Sequence, residues 1–116
     1  MSVQQLTVKR GHVLALDDVT VETPGGRITA IVGGDGAGKT TLLEAMVGLV
    51  LPDAGSVDRV PREDVGYMPS GAGSWADLTV DENVTFIGGS YGLSGSALQE
   101  RADEVLGRAG LSEARD

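Results

Sequence analysis

The sequence predicts an α/β fold wrapped round a phosphate-binding loop, and three observations carry that prediction. Gly33 to Thr41 reads Gly-Gly-Asp-Gly-Ala-Gly-Lys-Thr-Thr, which fits the pattern Gly-x-x-x-x-Gly-Lys-Thr in register. The apolar run Ile28 to Val32 ahead of it has the pattern of a buried strand entering the loop. Thr40 to Val50 behind it has the pattern of a helix, with Leu43, Met46, Val47 and Val50 on one face.

The nine loop residues, Gly33, Gly34, Asp35, Gly36, Ala37, Gly38, Lys39, Thr40 and Thr41, are therefore the expected nucleotide-binding set. Gly33, Gly36 and Gly38 have no side chain to hold the backbone away from a phosphate, so successive N–H groups can curl round the anion at a helix N-terminus. Lys39 is expected to reach the β- and γ-phosphates and is the one residue given a catalytic role. The Thr40 hydroxyl is the expected Mg²⁺ ligand, and the Thr40 and Thr41 amides, still free in the first helical turn, are expected to face the α- and β-phosphates.

Taken in order, the chain begins with a weak alternation of Val3, Leu6 and Val8 that suggests a strand over Val3 to Lys9. Val13 to Leu16 followed by Asp17 and Asp18 copies the strand-plus-acid pattern that holds Mg²⁺ in phosphate-loop enzymes. In those enzymes the acidic strand follows the loop, whereas this one precedes it. Val19, Val21 and Thr23 continue the alternation, so a structural strand is the reading adopted. Pro24-Gly25-Gly26 is a turn that feeds Arg27 to Val32.

Beyond the helix, Pro52-Asp53-Ala54-Gly55 breaks the pattern and Ser56 to Val60 suggests a short strand. Arg62 to Asp64 is a charged connector, and Val65 to Met68 reads as a short buried strand closed by Pro69. Ser70 to Ser74 is a glycine and serine loop that delivers Trp75, which needs either the core of its own domain or the groove of a partner. Thr79 to Glu82 has the Thr-x-x-Glu form of a capping box opening a helix with Val84, Phe86 and Ile87, weakened at Gly88 and Gly89. Ser96 to Gln99 reads as a second capping box. Leu98, Ala102, Val105, Leu106 and Ala109 line one face of the helix it opens, with Gly110 as terminator. Glu100, Arg101, Asp103 and Glu104 form the opposite, solvated face.

Composition narrows the function classes. At 116 residues the chain fits one domain or part of a larger one. Apolar residues make up 41%, but Tyr67, Trp75, Phe86 and Tyr91 are the only aromatics, so the core must be aliphatic. A formal net charge of −8 gives no basic stripe for nucleic acid, which is excluded as a partner. With no cysteine, disulfides and thiolate metal sites are ruled out. The longest apolar stretch, Ala45 to Leu51, is far short of the ~20 residues of a membrane-spanning helix.

Several segments together resemble one family, the ATP-binding-cassette (ABC) ATPases that power membrane transporters. Ala15 to Val19, Pro24-Gly25-Gly26, Gly33 to Leu43, Leu51 to Gly55, Val65 to Pro69 and Asp77 to Asn83 follow the family's order and spacing. The resemblance implies a partial ABC domain: residues 1–32 as its antiparallel β-subdomain, 33–69 as its nucleotide-binding core, and 70–116 as the start of its helical subdomain. It implies ATP as ligand, with Mg²⁺ bridging the β- and γ-phosphates, and coupling of ATP binding and hydrolysis to transport. It also implies a transmembrane transporter subunit and a second ABC ATPase domain as partners, and a cytoplasmic location on the inner face of the cell membrane.

The family domain is about twice this long. Its signature loop, acidic catalytic strand and histidine switch belong to the other half, so the 116-residue chain alone is expected to be inactive as an ATPase. His12 precedes the phosphate loop and is not that histidine. Three positions depart from the family pattern: Ser70 stands at the usual glutamine, Arg10 at the usual adenine-stacking aromatic with His12 two residues on, and Asp35 at the usual asparagine. In the family the loop carrying Trp75 borders the cleft for a short cytoplasmic helix of the membrane subunit. Ser70 keeps open a second reading, a degenerate or truncated half that binds ATP without hydrolysing it. A small-molecule kinase fits less well, because 32 residues precede the loop where such enzymes usually open with its strand.

Overall fold

The computed structural model describes residues 1–71 and 73–116 and divides into two compact units, Met1–Tyr67 and Met68–Asp116. The loop expected over Ser70 to Ser74 is described except at Ala72, which lies outside the described residues.

The first unit is built on a three-stranded antiparallel sheet in the order β2-β1-β3, with β1 at Ser2–Arg10, β2 at Val13–Glu22 and β3 at Ala54–Asp58. In β1 and β2 the apolar residues are spaced three and then two apart, as Val3, Leu6, Val8 and Leu16, Val19, Val21. A flat strand would send the first of each triplet to the opposite face from the other two. Irregular pairing restores the phase: Gln5 and Asp18 take positive φ of 48° and 49°, and the register shifts beside each. Val3 then pairs with Val21, Leu6 with Val19 and Val8 with Leu16. The acidic pair Asp17-Asp18 thus belongs to an irregular point of a strand. Asp18 donates its amide to Thr7 Oγ1 at 3.2 Å, and Gln5 donates its own to Thr20 Oγ1 at 3.0 Å.

Gly55 in β3 is fixed by the same irregularity. It has φ of +83°, and a Cβ there would lie 2.3 Å from Gln5 O and 2.4 Å from Gln4 O, so only glycine fits beside β1. The strand begins two residues before the expected Ser56 and ends at Asp58.

Helix α1, Lys39–Met46, packs on the sheet with Leu42, Ala45 and Met46, completing a core of Val3, Leu6, Val8 and Leu16. Burial of each such side chain contributes about 1.5–3 kcal/mol. Of the expected face, Met46 is buried and Val50 packs against the core from beyond the helix end, Val47 is half-buried at the C-cap, and Leu43 is exposed. The helix stops four residues early because Gly48 takes φ of +82° while Leu49 N–H donates to Glu44 O and Gly48 N–H to Ala45 O. Arg59 adds two further donors to Ala45 O, at 2.9 and 3.3 Å.

Two expected strands are not formed. Arg27 to Val32 pairs with no strand, and Ile28 and Val32 stand 102% and 88% exposed, although Ile31 packs against the core. A continuous apolar run is the pattern of a strand covered on both faces and flanked on both edges. The antiparallel sheet offers neither place to it. Val65 to Met68 likewise forms no strand, and Met68 is exposed. The charged connector Arg62–Asp64 before it is a single 3-10 turn.

The second unit pairs α2, Val80–Ser90, with α3, Gly95–Ala109. The capping box at the start of α2 is complete: Glu82 N–H donates to Thr79 Oγ1 at 3.1 Å, and Thr79 N–H to Glu82 Oε2 at 2.8 Å. Helix α2 runs through Gly88 and Gly89. The second capping box is not formed. Helix α3 starts at Gly95 behind Ser94, which makes no side-chain cap, and Ser96 lies inside the helix, so its hydroxyl has no free end to cap. Ala102 and Leu106 are its buried residues, Val105 and Ala109 are exposed, and Gly110 ends it in the left-handed conformation as expected.

Candidate functional site

The phosphate loop is shaped by its contact with β2. Gly38 stands at the N-cap of α1 with φ of 87°, and a Cβ there would fall 2.6 Å from Ala15 O and 2.9 Å from Leu16 Cδ2. That close approach seats the start of α1 directly on the strand. The first intrahelical bond runs from Leu42 N–H to Gly38 O at 2.9 Å, leaving the amides of Lys39, Thr40 and Thr41 without an intrahelical acceptor. No side chain caps this end and no acid occupies its first turn, so its positive partial charge is uncompensated.

Lys39 arches back over the loop. Its ammonium donates to Gly33 O at 2.8 Å and to Gly34 O at 2.7 Å, which fixes the charge above the loop with one of three N–H groups left to give. Ala37 N–H donates to Gly34 O at 3.3 Å and closes the turn. The result is an open cleft of ≈ 380 Å³. The loop and helix residues Asp35 to Thr41 line one side, and Val13, Leu14 and Ala15 of β2 line the other.

Of the residues expected from the sequence, Asp35, Gly36, Ala37, Gly38, Lys39, Thr40 and Thr41 come together on this cleft. Gly33 and Gly34 stand behind it and hold the lysine through their carbonyls. Arg10 forms an ion pair with Glu44 of α1, and His12 is exposed in the turn between β1 and β2. The aliphatic wall Val13 to Ala15 was missed by sequence reasoning. Its signal was the apolar run itself, read only as strand.

For a metal ion, the donor set is sparse. Among the described residues no cluster of three His, Cys, Asp or Glu side chains could cage one, and Thr40 brings a single hydroxyl to the cleft. This fits Mg²⁺, which keeps waters and phosphate oxygens as its main ligands, and does not fit a metal held by protein alone.

In the second unit, Asn83 is a buried polar residue that sequence reasoning passed over. Its carboxamide bonds the backbone of Trp75, Leu78 and Thr79, and so shapes the turn ahead of α2. Trp75 is 49% exposed and meets Phe86 edge to face, with ring centroids 4.6 Å apart.

Comparison with known proteins places this geometry. Residues 16–116 match the family model described as ABC transporter. The chain is 40% identical over 114 residues to the zinc import ATP-binding protein ZnuC of Halorhodospira halophila, an alignment covering 97% of this chain and 42% of that protein. Among solved structures it superposes with a TM-score of 0.82 and 26% identity on the ATP binding subunit of an ABC transporter, over 98% of this chain and 52% of that one. A second, cbiO1 from Clostridium perfringens, part of the ABC transporter complex cbiONQ, gives a TM-score of 0.74 at 25% identity, over 99% and 52%. The chain thus spans about half the length of the proteins it matches, with the α/β fold of their nucleotide-binding domains. Nearly end-to-end agreement in sequence and in backbone leads to one conclusion: the chain belongs to the ABC transporter family.

Proposed function

We propose that this chain is the ATP-binding part of a transporter's ATPase subunit, which grips the triphosphate at Gly33 to Thr41. The observation that carries the reading is Lys39, held by the Gly33 and Gly34 carbonyls above three helix amides that have no intrahelical acceptor. A fixed cation and a bare helix N-terminus facing one cleft are an anion site. Lys39 meets the β- and γ-phosphates, the Thr40 and Thr41 amides meet the α- and β-phosphates, and the Thr40 hydroxyl takes one place on Mg²⁺. Thr40 would be the protein's ligand to Mg²⁺, which when bound would supply positive charge against the phosphates.

The relatives' greater length supports the rest of the reading. Residues 1–32, 33–69 and 70–116 serve as β-subdomain, nucleotide core and start of the helical subdomain. Arg27 to Val32 becomes the strand that leads into the phosphate loop once further strands of the complete domain flank it. In that complete domain ATP is hydrolysed, a second ABC ATPase domain pairs with it, and a transmembrane subunit docks on it at the inner face of the membrane. The complex named for cbiO1 supports the membrane partner.

Titration calorimetry with Mg-ATP tests the site. Lys39→Ala removes a charge-assisted bond of about 1.5–3 kcal/mol, so affinity should fall about 10- to 150-fold. Equal affinity for the two proteins refutes the reading.

A further inference from the structure

Among the described residues that line the phosphate-loop cleft, Asp35 is the one carboxylate and Lys39 the one cation. The turn that carries Asp35 is closed by backbone alone, with Ala37 N–H donating to Gly34 O at 3.3 Å and Gly36 taking the positive φ of 77°. The carboxylate has no part in holding it. Lys39 turns its ammonium to the Gly33 and Gly34 carbonyls, and none of the ion pairs among the described residues includes Asp35, which is exposed. A negative charge thus stands on the wall of an anion site without serving the fold of the loop.

Its effect on a ligand follows from charge. A cleft of ≈ 380 Å³ keeps any bound charge within about one screening length of its lining, ~10 Å at 0.1 M salt. The side chains of that lining sum to no net charge, and the chain as a whole carries −8, so nothing distant offsets the carboxylate. Repulsion from one fixed charge scales with the net charge of the ligand it faces. At about pH 8, above the phosphate pKa of about 6, free ATP is a tetraanion and its Mg²⁺ complex a dianion. The free nucleotide therefore meets about twice the repulsion, and its loss of affinity is about the square of the factor lost by the complex.

Resting on the nucleotide-binding reading above, we propose that Asp35 makes this site selective for Mg-ATP over the uncomplexed nucleotide. It acts by repelling the more highly charged ligand, not by binding the metal.

The test is calorimetric titration of the 116-residue chain with Mg-ATP, and with ATP in EDTA, at about pH 8 and ~10 mM ionic strength, where the screening length is ~30 Å. Two variants remove the charge: Asp35→Asn keeps the shape of the side chain, and Asp35→Ala adds no amide that could donate to a phosphate. Both should bind Mg-ATP about two- to threefold more tightly than the parent and free ATP about four- to ninefold more tightly. Both gains should shrink at ~0.15 M salt. Equal gains for the two ligands, or none, overturn the proposal. A gain confined to Asp35→Asn also overturns it, because the new amide and not the lost charge would then be responsible. Weaker binding of Mg-ATP by both variants overturns it too and identifies Asp35 as a metal ligand. If the parent binds neither form of ATP, the phosphate-site reading falls and this one with it, whereas any of the other contrary results removes the role of Asp35 alone.

Discussion

The Asn83 carboxamide holds the Trp75 backbone from both sides, its Oδ1 accepting from Trp75 N–H at 2.8 Å and its Nδ2 donating to Trp75 O at 3.0 Å. The same Nδ2 lies 3.1 Å from Leu78 O and 2.9 Å from Thr79 O, so one buried side chain closes the whole turn before α2. Asn83→Ala leaves an amide and carbonyls of that turn without partners. The expected cost is about 1–3 kcal/mol, with the turn loosened. Trp75 is the chain's single tryptophan, so its emission, followed through denaturant unfolding of both proteins, reads the change directly. An unchanged midpoint and spectrum would show that Asn83 does not hold the turn.

Trp75 itself is expected to matter much less to stability. A core tryptophan costs about 3–5 kcal/mol on truncation, but a half-exposed one whose ring contact is with Phe86 should cost nearer 0.5–1.5 kcal/mol. Trp75→Ala should therefore lower the melting temperature only slightly, and calorimetric melting compares the two proteins. A large drop would mean that the indole is a core residue after all.

Backbone strain can be tested at Gly55, away from the nucleotide cleft. An added methyl meets two carbonyl oxygens of β1 at a positive φ that alanine disfavours, and neither backbone can give way without breaking the β1–β3 pairing. Gly55→Ala is expected to cost more than about 2 kcal/mol in chemical denaturation. Gly25→Ala, where a Cβ meets nothing, is the control and should fall within about 0.5 kcal/mol of the parent.

The second unit should show an acid limit. Hydrogen bonds from Arg115 and then Gln99 hold the Asp103 carboxyl below its ordinary range, and Arg115 also reaches Asp81 at 3.2 Å. A folded-state pKa below the unfolded one means stability that is fully present above the unfolded value, about 3.9, and lost as pH falls through the folded one. Melting temperature should therefore be flat near neutrality and decline below about pH 4, with part of that decline absent in Asp103→Asn. Salt should shrink the difference, because the pair is exposed.

Turnover gives a further check on the site. The carboxylate lining the cleft is Asp35, which sits on the loop itself, and the family's catalytic acid lies on a strand outside these residues in the proposed complete domain. Phosphate release by the 116-residue chain should match buffer alone. Steady hydrolysis that vanishes in Lys39→Ala would overturn this.

What the amino-acid order determined by itself was whatever depends on neighbours in the chain. The Thr79–Glu82 box and the Gly110 stop were legible because each is satisfied within a few residues of the chain, and the phosphate loop was legible as a motif. The family was legible too, since several such segments occur in a fixed order. Tertiary structure decided the rest. Whether Ile28 to Val32 becomes a strand depends on edges supplied from elsewhere, so its apolarity could not settle the matter. The three-then-two spacing in β1 and β2 looked like a weak alternation until the irregular pairing at Gln5 and Asp18 put both triplets on one face. The buried side of α1 is Leu42, Ala45 and the expected Met46, with Leu43 left out, because the seat of Gly38 on Ala15 sets the helix's rotation over the sheet. Likewise Arg10 and Glu44, 34 residues apart, form an ion pair only because strand and helix meet.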